Sequence, residues 1–312
     1  MRGAFFQALL EAAEADPRVH LIVGDLGFGV VEPFASRFPD RFLNVGVAEQ
    51  NMTGVAAGMA LSDKIVFTYS IANFPTLRCL EQIRNDVCYH RANVKVVAVG
   101  GGFAYGSLGA SHHATEDLAI MRALPGMTVV VPGDPVETRL LTHAVAEHAG
   151  PCYLRLGRAG EPAVHTGLAE ARIGRAIIVR PGRDLALIST GGMLETVVRV
   201  AEKLGAAGAQ ARVLSMHTLK PLDVDAVLAA AVETRAVLTV EEHSVIGGLG
   251  SAVAEVLAER PDVKVPFRRL GLSSAFASQA GSQAFLRDGA GLSETGILAS
   301  VHRLLEAAGS RA

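Results

Sequence analysis

FLNVGVAEQNMTGVAAGMAL, residues 42–61, reads as a short strand that turns directly into a helix of small and apolar residues. At the joint stands a single carboxylate, Glu49. The nearest formal charges along the chain are Arg41 and Asp63. A carboxylate carried into an apolar run without a cationic partner is costly, because its charge loses water and gains nothing. The expectation is therefore that Glu49 is buried, lacks a cation, and is put to use.

Working outward, the same strand-then-helix alternation fills the chain. VHLIVGDL, KIVFTYS, VKVVAVGG, MTVVVPG and PCYLRLG are further strands of the first part. FPTLRCLEQIRNDVCYH, ATEDLAIMRAL and DPVETRLLTHAVAEH are helices between them. Asp134 before Pro135 is a helix start, an N-cap followed by proline at the first helical position. The N-terminal MRGAFFQALLEAAEADP carries Glu11 and Glu14 inside its apolar pattern, so it reads as an amphipathic helix and not as a signal peptide. Near 157–175 the periodicity fades into Gly, Pro and charge, which predicts a linker. A second alternating set follows, from LALISTGG through AVLTVEEH to SETGILASVHRLLEAAG. The predicted architecture is two consecutive three-layer α/β/α sandwiches with mostly parallel sheets, over residues 1–165 and 172–312.

Bulk composition agrees. The chain has 312 residues, half of them hydrophobic, with 33 glycines and only 5% aromatics, which suits packed α/β layers over more than one core. A formal charge of −2 leaves no basic surplus for nucleic acid or an anionic membrane. No apolar run reaches the length of a bilayer span. Three cysteines without a CxxC spacing argue against a disulfide framework, and the expected setting is the cytoplasm.

Ligands of open α/β sheets gather on the loops that follow the strands. Four such places carry glycines or polar groups: GDLGFG (24–29), GVAEQN (46–51), YSIANFPTLR (69–78) and GGGFAYGSLGASHHATED (100–117). The last is long, and long loops inside compact domains usually serve a function. Structural alternatives stand beside each. Asp25 could simply cap a turn, and Phe74 could be core. The pair His112-His113 has no third ligand at a telling spacing, so no metal site is expected.

Taken together these stretches resemble the transketolase and deoxyxylulose-phosphate synthase group of thiamine-diphosphate enzymes. FLNVGVAEQNMTGVAAGMAL is similar to their pyrimidine-binding domain. FPTLRCLEQIRND, GASHHATEDLAIMRALPGMTVVVPGDP, LKPLD and EEHSVIGGLGSAVAEVL continue the match in order over nearly the whole chain. The resemblance implies that Glu49 is the catalytic acid that hydrogen-bonds N1′ of the cofactor's aminopyrimidine. The cofactor's own amino group then becomes basic enough to take the thiazolium C2 proton, and a two-carbon unit passes from a ketose to an aldehyde. It implies that Phe74 stacks on the pyrimidine, with Ile71 where a second aromatic is usual, and that Asp25 and Arg78 lie beside the cofactor. It further implies that His112 is catalytic and that His113, Arg158 and, more weakly, Arg2 meet the substrate, arginine's planar fork suiting phosphate oxygens.

The departures are also informative. Leu108 stands where the family has an acid that reads a substrate hydroxyl, and Gly100 to Gly102 fall where it has a further histidine. No GDG segment for the diphosphate and its cation occurs; GDL at 24–26 and GDP at 133–135 fail at the third position. The resemblance thus implies the C-terminal section of a split transketolase, with Mg2+ or another divalent cation held by an N-terminal-section partner in a complex of two copies of each. Sugar phosphates are the implied substrates. The alternatives are the β subunit of a 2-oxo acid dehydrogenase, a deoxyxylulose-phosphate-synthase-like enzyme, a nucleotide- or flavin-binding module, and a non-catalytic assembly subunit. GGLGSAV at 247–253 has the wrong spacing for a dinucleotide loop.

Overall fold

The computed structural model describes residues 1–309; the last three residues of the expected second domain lie outside them. The first half runs α1 (Arg2–Ala15), β1 (Val19–Val23), α2 (Glu32–Arg37), β2 (Phe42–Asn44), α3 (Glu49–Leu61), β3 (Ile65–Ile71), α4 (Leu80–Gln82, continued by a π-helical segment Ile83–Cys88), β4 (Val94–Val99), α5 (Asp117–Ala123), β5 (Thr128–Val130), α6 (Pro135–Glu147) and β6 (Cys152–Leu156). The second runs β7 (Ile177–Arg180), β8 (Leu185–Ser189), α7 (Leu194–Ala206), β9 (Ala211–Ser215), β10 (Thr218–Lys220), α8 (Val224–Glu233), β11 (Val237–Ser244), α9 (Leu249–Ala258), β12 (Phe267–Leu272), α10 (Gln283–Gly289) and α11 (Glu294–Gly309).

Two sheets result, ordered β10-β5-β6-β4-β3-β1-β2 and β12-β11-β8-β9-β7. All pairings are parallel except β10 on β5 and β7 on β9. Helices cover both faces. This is why β1, β4 and β6, buried at every position, read as unbroken apolar runs and not as alternation. Phe5, Leu9, Leu141 and Val145 of α1 and α6 pack one face of the first sheet against Phe67, Tyr69 and Leu154. On the other face Met52, Ala56, Ile83 and Leu118 join a core that runs on to Ile188, Leu214, Leu249 and Val253 in the second half. A third core, with Leu187, Val197, Leu238 and Ile297, lies within the second half.

The halves are therefore tied more closely than two separate sandwiches. β10 belongs to the second half in sequence but pairs with β5, Thr218 opposite Val130 and Lys220 opposite Val129. Lys220 Nζ donates to the carbonyls of Arg122 and Leu124 at 2.9 and 2.6 Å. The linker is irregular as expected, yet pinned. One Asp134 oxygen caps α6 at the N–H of Glu137 (2.7 Å), and the other accepts from the N–H groups of Val164 and His165 (2.8 and 2.9 Å). His165 also meets the buried Glu137 at 2.6 Å.

Candidate active site

In the first sheet β2 lies on one side of β1 and β3 on the other, so the chain reverses across β1 through α3. The crevice beyond the strand ends at such a reversal is where open α/β sheets take ligands. Glu49 begins α3 there, among N–H groups whose dipoles favour a carboxylate in the first turn. Its side chain is 1% exposed. The end of β1 runs against it, and a Cβ on Gly24 would lie 3.3 Å from Glu49 Cγ, so glycine gives the carboxylate its place.

The expectation of a carboxylate without a cation is corrected. Arg78 Nη1 donates to Glu49 Oε2 at 2.7 Å. Arg78 sits 29 residues further on, after β3, and only the fold brings it here. Glu49 Oε1, by contrast, is buried and has no hydrogen-bond partner among the described residues. Arg78 is anchored through its carbonyl, which accepts from Gln50 Nε2 at 3.1 Å, while its side chain is 44% exposed.

Phe74 follows β3 in a turn closed by its N–H on the Ile71 carbonyl (2.7 Å). The Arg78 guanidinium lies 4.6 Å from the centre of its ring. Across from it the His112 ring meets Phe74 edge-on at 5.3 Å. Ile71 is half-buried at the end of β3 and packs into the core beneath. Asn73, which sequence reading passed over, donates from Nδ2 to the carbonyls of His113 (2.6 Å) and Ser111 (3.3 Å), and so holds the loop that presents His112. His112 Nδ1 pairs with the Ser111 hydroxyl at 3.0 Å.

The long loop 100–117 closes on itself through a bridge between Gly102 and Ala114. Gly100, at φ +89°, also makes room for the Tyr105 ring, which a methyl group there would overlap. Tyr105 is a second residue that sequence reading missed. Its ring lies 6.4 Å from that of His112, and the Arg158 guanidinium stands over it at 5.0 Å. Burial pushes the Tyr105 phenol up, and the charges of Arg158 and Arg2 work against that shift, which puts both arginines at this end of the site. Burial likewise raises the neighbouring Tyr69, again opposed by Arg2. A hydroxyl between histidine and arginines was legible in the sequence only as one aromatic in a glycine-rich stretch.

One expected residue is placed differently. His113 is buried, its Nε2 within 3.1 Å of the Gly106 carbonyl and its ring edge-on to Phe103, so it faces the loop's interior and not the crevice. Asp25, in the left-handed region at φ 56°, ends β1 beside Gly24 with its carboxylate bonded to Asn44 Nδ2 at 3.0 Å. Glu49, Arg78, Phe74, His112, Tyr105 and Arg158 thus form one contiguous line, with Arg2 at the Arg158 end. Along the segments that lead to and from Glu49 and on the loop after β1, several apolar side chains are exposed: Phe28 is 71% and Val47 74% exposed, and Leu43 and Leu77 are exposed as well. Among the described residues no group of three His, Cys, Asp or Glu side chains is placed to hold a metal ion. Nor is any helix among them long and apolar enough to cross a membrane.

A buried carboxylate with one unpartnered oxygen, joined through Arg78 to an aromatic face, fits a flat heteroaromatic ring with a nitrogen at its edge. Comparison with known proteins points the same way. Residues 1–161 match the transketolase pyrimidine-binding domain and residues 174–297 the transketolase C-terminal domain. The chain is 39% identical, over 98% of its length and 94% of the relative's, to the 6-deoxy-6-sulfo-D-fructose transketolase subunit SqwH of Clostridium sp. (strain MSTE9). It is 41% identical to an apulose-4-phosphate transketolase subunit of Phocaeicola vulgatus, over 87% of this chain and 86% of that one. A solved structure described as a split gene transketolase, inactive beta4 tetramer, superposes with a TM-score of 0.90 at 40% identity and 98% coverage of both chains. With both parts of the chain matched by the family's domains, and relatives of 39–41% identity covering most of its length, the chain belongs to the transketolase family.

Proposed function

We propose that this chain is the C-terminal-section subunit of a split transketolase, which passes a two-carbon ketol unit from a ketose to an aldehyde. The observation that carries the reading is Glu49: buried, at the head of α3, with Oε1 unpartnered among the described residues and Oε2 paired with an arginine that lies over the Phe74 ring. Thiamine diphosphate, when bound, supplies a thiazolium carbon that stores the electrons as the carbon–carbon bond breaks. The chain's own residues do the rest. Glu49 would hold N1′ through a shared proton, and Phe74 with Ile71 would form the platform under the pyrimidine. The apolar strand ends keep water from levelling that proton transfer. His112 stands where a reacting hydroxyl would need a proton donor or acceptor. Arg158 and Arg2, beside Tyr105, suit the far anionic end of a sugar phosphate. Asp25 lies on the cofactor side at the crevice's outer wall.

The diphosphate, its divalent cation and the cover over Phe28, Val47 and Leu43 come, in this reading, from an N-terminal-section partner, two copies of each chain making the complex. The comparison with a beta4 assembly described as inactive supports a chain that is inert by itself. The three cysteines, all free and buried, support a cytoplasmic setting.

Calorimetry tests the reading. Thiamine diphosphate with Mg2+ should bind tightly only when this chain is mixed with a transketolase N-terminal section. That mixture should turn over a ketose phosphate. Tight, Mg2+-dependent binding to this chain alone, or no turnover with any partner of that type, contradicts it.

A further inference from the structure

The Arg78 side chain meets two groups, Glu49 and Phe74, that the cofactor's aminopyrimidine ring needs. Its Nη1 occupies Glu49 Oε2 at 2.7 Å, and its guanidinium plane lies 4.6 Å from the Phe74 ring centre. A ring entering over Phe74 toward this carboxylate therefore meets Arg78 on the Oε2 side, while Oε1 is buried without a partner among the described residues. A guanidinium is flat, donates hydrogen bonds at its edge and stacks on aromatic faces, and so imitates the edge and the face of an aminopyrimidine.

We propose that Arg78 keeps the aminopyrimidine's seat in the free chain, acting as a displaceable counter-ion to Glu49 that swings out when the ring enters. This rests on the reading of Glu49 and Phe74 as the pyrimidine site. The energetics favour such an exchange. Removing Arg78 with nothing in its place leaves a buried charge unpaired, so the free chain needs a cation there. The Arg78 side chain is nearly half exposed and returns to water without disturbing the core, while its carbonyl stays fixed on Gln50. Glu49, 1% exposed at the head of the 13-residue α3, is the fixed partner in this exchange. Occupancy by Arg78 lowers the apparent affinity for the ring by the fraction of molecules in which the seat is open. The arginine thus positions the carboxylate before loading and gates it during loading.

The probe is thiamine, which carries the aminopyrimidine but no diphosphate, titrated into the full free chain by calorimetry. Arg78→Ala and Arg78→Gln should bind it about tenfold more tightly than wild type, the gain expected if the seat is open in about a tenth of wild-type molecules. Glu49→Gln combined with Arg78→Ala should lose the gain. Denaturant midpoints identify any variant that is not folded, and Arg78→Gln keeps the arm's apolar packing if Arg78→Ala fails. Affinity that is unchanged or weaker in folded Arg78 variants, with Glu49→Gln still weakening wild-type binding, overturns the gate and leaves the pyrimidine site standing. If Glu49→Gln changes thiamine binding in neither background, the pyrimidine site itself falls and the gate with it; if no folded variant binds thiamine, the gate falls.

Discussion

Asp117 and Glu49 are both buried carboxylates, but they are completed in different ways. Asp117 accepts from the Tyr153 hydroxyl at 2.6 Å and from Arg155 Nε and Nη2 at 2.8 and 3.3 Å. Arg155 in turn donates to the carbonyls of Ala114 and Glu242, and Glu242 takes Arg287 and the N–H of Phe103. Every oxygen of Asp117 is spoken for. Glu49 has one donor, from a half-exposed arginine, and an oxygen with none. A saturated buried network fixes geometry, and here it locks the base of the loop that carries His112 across both halves. An unsaturated one is costly to keep and marks a place prepared for something else.

Breaking the saturated network should cost the most. Arg155→Ala leaves Asp117 charged and unpaired and should lower unfolding free energy by about 3–5 kcal/mol. Urea denaturation measures it, and a loss below about 1 kcal/mol would place Asp117 with the surface pairs. Next come the site's outer residues, which hold no framework. In the complex with a partner, His112→Ala should cost about a hundredfold in turnover and spare cofactor affinity. Arg158→Ala should weaken phosphorylated ketoses by about tenfold, one charged hydrogen bond being worth about 1.5–3 kcal/mol. Equal losses for unphosphorylated ketoses would remove Arg158 from that role.

A third cluster, Glu137 with His165, sharpens the contrast because its strength should follow pH. Burial works against the charge on His165, yet the bond and charge of Glu137 hold the imidazole above its ordinary 6.5. Its contribution is complete below that value and is lost as pH rises through the raised one. Burial pushes Glu137 up, but the His165 bond holds it below 4.5 overall, so its contribution is lost in acid. His165→Ala should therefore cost about 1–3 kcal/mol near pH 6 and less near pH 9. A cost that grows with pH contradicts the pairing. The smallest effect belongs to the unsaturated site: Glu49→Gln should change the free chain's stability by less than about 1 kcal/mol, because it removes a buried charge along with its one ion pair.

This contrast also explains what the sequence made legible. Strands buried on both faces are recognisable as apolar runs, and Asp134-Pro135 marks α6 because capping is local chemistry. Glu49, Phe74 and His112 stood out as polar or aromatic groups at strand ends. Pairings between distant segments were not legible. Arg78 on Glu49, Asn73 under the His112 loop and Tyr105 beneath Arg158 depend on contacts across the fold. β10 was missed because three residues before a proline carry too little pattern, and its place at the edge of the first sheet is a tertiary choice. His113 shares its neighbour's chemistry but points inward, and adjacent residues in a turn give no sign of which one faces out.

The central claim is that Glu49 shares a proton with the cofactor's N1′. Hydrogen–deuterium exchange at the thiazolium C2, followed in the complex of this chain with an N-terminal section, tests it most directly. The amide of Glu49→Gln keeps the shape but cannot exchange the proton, so exchange should slow by about a hundredfold to ten-thousandfold. Cofactor affinity should fall by about tenfold or less, one hydrogen bond being worth about 0.5–1.5 kcal/mol. An exchange rate in Glu49→Gln equal to that of the wild type would contradict the role assigned to this carboxylate.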